Sequence, residues 1–424
     1  MSKGIKADGA VSISGGSIDD TAAGGYMIIG SDPAYCTAIK CSTYEGSEGE
    51  LILRATGSAS RGISADGALT ISGGTYDITL SGDGATYSGN GDTEGVGSRG
   101  LKSDGDMLLQ GGTIAINCSA RGGKGIKVGT SEQSGTNGAR LTIGDASQVG
   151  QGPTLAVATT GSYLATESSG GWGGGPMDSG FIGSCKAVKC MGPVNVYGGN
   201  TRLSTVSDGA EGLESKSTIT VYGGTLESDA YDDAINAAST ITFNGGSVWA
   251  HASNNDAIDS NDSSTGIVIN GGVVIGSGTS SPEEGFDCDN AAFVINGGVV
   301  IGTGGSQGGG GGGPGGGGQG GGGLPTKATQ PYASLSSANL TAGTYLSLKD
   351  GNGNVVFSYK ISHAVSQATV LVSSPNLTSG SRATIVVGST AISNPATSLW
   401  EGAYTTGATL TGGTSNSVTP TTKN

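Results

Sequence analysis

The sequence predicts an all-β protein: a parallel β-helix, or β-solenoid, of about ten coils, followed by a small C-terminal β-domain. Three observations lead there. A motif recurs through 1–301, made of a short apolar alternation, a Gly-Gly pair and a second apolar alternation. The composition, with 84 glycines in 424 residues and 5% aromatic side chains, is unlike that of a conventional α/β enzyme. Helical heptads are absent, and Gly, Ser and Thr dominate.

The stretch from Gly212 to Val300 is the most regular. Glu211-Gly212-Leu213-Glu214, Asp233-Ala234-Ile235-Asn236, Asp256-Ala257-Ile258-Asp259 and Glu284-Gly285-Phe286-Asp287 are each followed by a strand-like segment and Gly-Gly. The second glycines fall at 224, 246, 272 and 298, a period of 22 to 26 residues. Ile219/Val221, Ile241/Phe243, Ile267/Ile269 and Phe293/Ile295 sit two residues apart, on one face of a strand. Gly-Gly permits a corner, because glycine accepts positive φ without strain. Leu226, Val248, Val274 and Val300 open a second strand beyond it. One unit cannot bury its apolar face alone, so the units must stack.

Earlier units contain Gly4-Ile5-Lys6, Ala38-Ile39-Lys40, Gly62-Ile63-Ser64, Gly100-Leu101-Lys102, Gly125-Ile126-Lys127 and Ala187-Val188-Lys189. The fifth has Gly144-Asp145 in place of the glycine pair. Insertions near 19–35, 81–98, 130–139 and 159–183 carry Tyr26, Tyr35, Tyr87, Tyr163, Trp172 and Phe181. Insertions in stacked repeats often gather on a binding face; the glycine-rich loop around Trp172 also reads as plain surface. At a strand spacing of about 4.8 Å the coils would make a rod on the order of 45 Å long.

Residues 302–324 are nearly all glycine and read as a flexible linker. In 325–424, Thr344–Lys349 and Asn354–Tyr359 flank Asp350-Gly351-Asn352-Gly353, a hairpin signal. Ala368–Ser373 and Arg382–Val387 read as two more strands, and the Thr/Ser/Gly-rich tail after Ala408 as poorly ordered.

The net charge of −14 argues against nucleic acid, whose binding rests on cation–phosphate contacts. No apolar run is long enough to span a membrane as a helix. The chain opens at Met1-Ser2-Lys3 already inside a repeat, and the expectation is that an export signal has been removed.

Charge placement is the most informative functional feature. Two places after the central glycine or alanine of each unit stand Lys6, Lys40, Ser64, Lys102, Lys127, Lys189, Glu214, Asn236, Asp259 and Asp287. Just before it stand Lys3, Thr37, Arg61, Arg99, Lys124, Lys186, Glu211, Asp233, Asp256 and Glu284. One edge is therefore basic and turns acidic after the sixth coil. Like charges about 5 Å apart repel by roughly 1 kcal/mol even in water, so such a stack calls for a counter-ion, an oppositely charged partner or splay into solvent.

Glu211, Glu214, Asp232, Asp233, Asp256, Asp259, Glu284 and Asp287 offer the oxygens a hard cation prefers, which makes calcium the expected ion. The alternative is a solvated acidic face. For the basic stretch the readings are a groove for an anionic polysaccharide, a lysine acting as a base, or a surface pattern pairing with Asp66 or Asp104. Lys102, Lys127 and Lys189 are the lysines concerned. His251 and His363 stand in no triad-like or zinc-like setting. The six cysteines either fill the core as small apolar groups or form Cys36–Cys41 and Cys185–Cys190 bridges, which the reading favours slightly.

The units Gly4-Ile5-Lys6-Ala7-Asp8-Gly9 with Ile13-Ser14-Gly15-Gly16, and Gly62-Ile63-Ser64-Ala65-Asp66-Gly67 with Ile71-Ser72-Gly73-Gly74, resemble a bacterial family of carbohydrate-binding domain-containing proteins. The loop Gly170-Gly171-Trp172-Gly173-Gly174-Gly175-Pro176 and the glycine run after 302 are similar to that family as well. The resemblance covers roughly 1–323. It implies a secreted or surface right-handed parallel β-helix like that of pectate lyases, carboxylate-held calcium, and binding of plant-type polysaccharide, acidic pectic or cellulosic. Lys102 and Arg99, where carboxylates would be needed, speak against a metal site in the N-terminal half.

The expected function is a monomeric extracellular or cell-surface binding module with Lys102, Lys127, Lys189, Arg99, Tyr163 and Trp172 on the glycan: cations for uronic carboxylates, aromatic faces for sugar rings. The alternatives are a calcium-dependent polysaccharide lyase with a Lys or Arg base, and a structural stalk or adhesin.

Overall fold

The computed structural model describes residues 2–30, 32–89, 92–166, 181–288, 291–305 and 323–424. These residues contain β-strands and short 3-10 turns, with no α-helix among them. None of their helices is long and apolar enough to cross a membrane. The chain divides into two compact units, 1–239 and 240–424.

In 1–239 the motif positions become strands that pair in parallel with their counterparts one motif away. One row contains Lys3–Lys6, Thr37–Cys41, Arg61–Ala65, Arg99–Ser103, Lys124–Val128, Lys186–Cys190, Leu213–Ser215 and Ile235–Ala237, in that order. Ile39, Ile63, Leu101, Ile126, Val188, Leu213 and Ile235 face one another across it in strict register and are fully buried. Each such side chain contributes about 1.5–3 kcal/mol on burial. A second row stacks Leu69, Met107, Leu141, Val194 and Ile219 in the same way.

The corner chemistry follows the sequence. Gly224 sits at φ +79, a backbone that an L side chain rarely adopts. The small central residue has a packing reason: a Cβ at Gly100 would lie 2.6 Å from the Gly125 carbonyl oxygen and 2.8 Å from Ile116 Cγ2. Three of the insertions contain antiparallel pairs: Met27–Ile29 with Asp32–Ala34, Ala85–Gly89 with Asp92–Val96, and Ala165–Thr166 with Phe181–Ile182.

In 240–424, Ile241–Phe243, Thr265–Ile269 and Ala292–Ile295 continue as parallel neighbours, and Lys327–Leu340 adds to them in parallel. Val299–Gly304 then takes Val365–Ser373 as an antiparallel partner. Beyond 324 the chain therefore shares a sheet with the last motif strands. A six-stranded antiparallel sheet follows, in the order Thr397–Leu399, Tyr404–Thr406, Val355–Lys360, Tyr345–Lys349, Ala383–Ser393 and Thr409–Val418. The expected hairpin forms, with Leu346 opposite Tyr359. The tail corrects the sequence reading: Thr409–Val418 is a strand on Ala383–Ser393, because its Thr and Ser residues suit an edge strand. Ile275 and Ile301 join Leu346, Leu348, Phe357 and Tyr359 in one buried cluster. Most of the glycine-rich linker, 306–322, lies outside the described residues.

Candidate functional site

The charged columns read from the sequence are stacked by the strands. Lys6 pairs with Lys40, Lys40 with Ser64, Ser64 with Lys102, Lys102 with Lys127, Lys127 with Lys189, Lys189 with Glu214, and Glu214 with Asn236. The companion column runs Lys3, Thr37, Arg61, Arg99, Lys124 and Lys186. Parallel pairing puts like residues side by side wherever the motif keeps its spacing.

Most of the outer column is neutralised locally. Lys6 pairs with Asp8, Lys40 with Asp66, Lys102 with Asp104 and Lys189 with Glu214. Five cations differ, the first being Lys3, which donates to the Tyr35 carbonyl and has no ion pair among the described residues. Arg61, Arg99, Lys124 and Lys127 ion-pair with no carboxylate among the described residues. Arg61 lies 3.5 Å over the Tyr35 ring centroid. Arg99 donates to the carbonyls of Ser98 and Gly122 at 2.8 and 2.9 Å. Lys124, buried, donates to Ser184 O at 2.7 Å, and Lys127 to Gly129 O at 3.1 Å.

This crowding weakens the lysines' hold on their protons. Burial, then the charges of Lys189 and Arg99, lower Lys127 to about 7. Lys124 is lowered well below the ordinary lysine value by burial and by Arg99. Burial also lowers Lys102, against the opposing pull of Asp104. Arg99 falls to about 10 through burial and the neighbouring Arg61.

The sign changes at Glu211 and Glu214, both 1% exposed. Lys186 Nζ lies 2.7 Å from Glu211, and Lys189 and Lys216 lie 2.9 and 2.5 Å from Glu214. Burial opposes the Glu214 charge, yet Lys186, Lys189 and Lys216 together hold its carboxyl well below the usual range. Glu211 and Glu214 thus do not fit as calcium ligands, since lysines already take their charge. Asp232 and Asp233 are buried, and Asp233 accepts from Asn236 Nδ2 at 2.9 Å.

The remaining acidic positions belong to 240–424. Asp259 and Asp287 form a parallel bridge, and Asp256 accepts from the Glu284 backbone N–H. Burial, then the Asp287 charge, push Asp256 well above the ordinary carboxylate value. Among the described residues no three His, Cys, Asp or Glu side chains gather as a metal-holding group. Asp256 feels the like charges of Asp287 and Asp259, and these three residues offer the carboxylate oxygens of this stretch.

Of the aromatic candidates, Tyr163 packs on Phe181 with ring centroids 4.5 Å apart. Trp172 lies outside the described residues. Sequence reasoning missed Tyr197 and Tyr222, whose rings stack at 4.6 Å and 7°. The signal was present: each stands directly before a Gly-Gly corner, so adjacent strands align them. In 240–424 the same corner place holds asparagines, with Asn270 donating to Asn244 and Asn296 to Asn270, both at 2.8 Å. His251 and His363, which the sequence left unconnected, lie 2.8 Å apart.

All six cysteines are free and buried, which corrects the expected Cys36–Cys41 and Cys185–Cys190 bridges. Cys185 and Cys190 head for different backbone carbonyls, Ala120 O and Ala139 O, as small core groups do.

A family model described as "Carbohydrate-binding domain-containing protein" matches residues 53–256 and 196–383. No curated protein and no solved structure matches the chain.

Proposed function

We propose, from the premise that this chain belongs to the carbohydrate-binding domain-containing family, that it is an extracellular or cell-surface module for acidic plant-type polysaccharide. The family membership supports carbohydrate binding; the polymer, the ion and the location are our reading. One observation carries it: Arg61, Arg99, Lys124 and Lys127 are stacked in two adjoining columns without a carboxylate among the described residues. Charges held out of water without a counter-charge are costly. A polymer bearing one carboxylate per sugar would supply that counter-charge along the strand direction of stacking. Guanidinium and ammonium groups pair strongly with carboxylates. Tyr163 and Trp172 remain the proposed sugar-stacking residues, and Lys102 and Lys189 the flanking cations.

In this reading the motif strands form a right-handed parallel β-helix, and the protein acts as a monomer. Calcium is proposed at Asp256, Asp259 and Asp287, where it would offset like charge by supplying a hard cation to carboxylate oxygens. The test is retardation in gels containing polygalacturonate, cellulose or a neutral glucan, with and without calcium. Retardation by polygalacturonate that weakens with salt is expected. Equal migration in all gels would sink the reading.

The lowered Lys127 favours a second reading, a polysaccharide lyase. A neutral amine could take the proton beside a uronate carboxylate, C4=C5 would form as the C4–O4 bond breaks, and O4 would take a proton from solvent. Lys102 and Lys189 are already engaged by Asp104 and Glu214. Ultraviolet-absorbing unsaturated products would establish this reading, and their absence would remove it.

A further inference from the structure

The outer column contains one position unlike its neighbours. Lys127 stands between Lys102 and Lys189 in parallel register. Both neighbours carry a carboxylate partner of their own, Asp104 and Glu214. Among the described residues the acceptor for the Lys127 amine is the Gly129 carbonyl. Its side chain is half-buried.

We infer that the row Lys102–Lys127–Lys189 receives one carboxylate of the bound polymer at Lys127, and that the amine takes up a proton as that carboxylate docks. The inference rests on the acidic-polysaccharide reading and deepens it, because it names the subsite and makes binding depend on pH.

The groups around Lys127 set the direction. Arg99 and Lys102 face it from one neighbouring strand, Lys189 and Lys186 from the other, and Lys124 lies on its own strand. The Cys190 thiol, raised to about 11 by burial, adds no charge at neutral pH. The Glu214 carboxylate pulls the other way, and Lys186, Lys189 and Lys216 already occupy it. Lys127 is thereby lowered to about 7 in the free protein. An incoming carboxylate restores the missing counter-charge and favours the ammonium form. The proton comes from solvent, and no bond other than N–H is made. An amine protonated in the complex is not a base, so the inference also opposes the lyase reading.

The experiment is calorimetric titration of the full chain with oligogalacturonate at pH 8. Two buffers of different ionisation enthalpy report the protons exchanged. It is run on the wild type, Lys127→Arg and Lys127→Met, each checked for wild-type circular dichroism. The wild type is expected to take up close to one proton. Its affinity should fall about tenfold per pH unit above 7, the slope for one linked proton. Lys127→Arg, which stays charged, should bind with no uptake and a flat pH profile. Lys127→Met should lose about tenfold in affinity at pH 7 and all uptake. Binding by the wild type without uptake, or undiminished uptake in Lys127→Arg, would overturn the inference while leaving the polysaccharide reading intact. No oligogalacturonate binding at any pH would overturn both.

Discussion

Lys189 and Glu214 stand opposite each other on adjacent parallel strands, with Lys189 Nζ 2.9 Å from Glu214 Oε1. The column of charges changes sign at this pair. The basic run is closed by it, and Glu214 is surrounded by Lys186, Lys189 and Lys216. A fully buried carboxylate among three ammonium groups holds that end of the basic run together.

Removing that carboxylate leaves buried Lys186 beside the partly exposed Lys189 and Lys216 without the charge that joins them. Glu214→Gln is expected to cost about 3–5 kcal/mol, the range for breaking a buried pair from one side. Denaturant unfolding would measure it. Because the folded carboxyl is depressed, its contribution is present above the unfolded glutamate value, near 4.3, and is lost as pH falls through the lower folded value. The loss below pH 4 should be smaller in Glu214→Gln.

Lys127 has the opposite sign. Between about 7 and the ordinary lysine value the unfolded chain binds more protons than the folded one, so stability rises with pH across that window. Lys124 adds to the same trend. Lys127→Met should flatten the rise in Tm between pH 7 and 9 and raise Tm at pH 6. A steeper slope in the variant would contradict the burial of an unpaired cation.

Asn270 both donates to Asn244 and accepts from Asn296. Asn270→Ala removes both bonds and is expected to cost about 1 kcal/mol. Asn270→Asp keeps the acceptor and loses the donor, since an ionised carboxylate only accepts. Thermal unfolding at pH 7 should place both variants below the wild type.

The six buried thiols make a sharper check on the core. The native protein should react slowly with an aromatic disulfide reagent, and the denatured protein should yield all six thiols without reductant. A yield of four would restore one of the bridges that the sequence spacing suggested, and a yield of two would restore both.

The charge columns were legible in the sequence because a motif position maps onto a strand position wherever parallel register is kept. Lys102, Lys127 and Lys189 are 25 and 62 residues apart, yet register makes them neighbours. Glycine corners were legible for the same reason, as Gly224 shows. What composition hid was partnership. The Lys102–Asp104 pair was legible, since Asp104 follows two residues after Lys102 where Gly129 follows Lys127, but the partner of Lys189 is Glu214 on the next strand, which only the fold brings to it. The docking of the C-terminal strands was hidden too, because the chain beyond 324 uses open strand edges at Ala292–Ile295 and Val299–Gly304 that no motif marks. The His251–His363 contact depends on that docking, since 112 residues separate the two rings.

The most direct test of the central claim compares one polymer with and without its charge. Binding of the full chain to polygalacturonate and to the fully methyl-esterified polymer would be measured in the same low-salt buffer. Tight, salt-sensitive binding of the acidic form with little binding of the ester is the predicted result. Equal affinity for both would show that the unpaired cations of the column do not recognise carboxylates, and the account would fail.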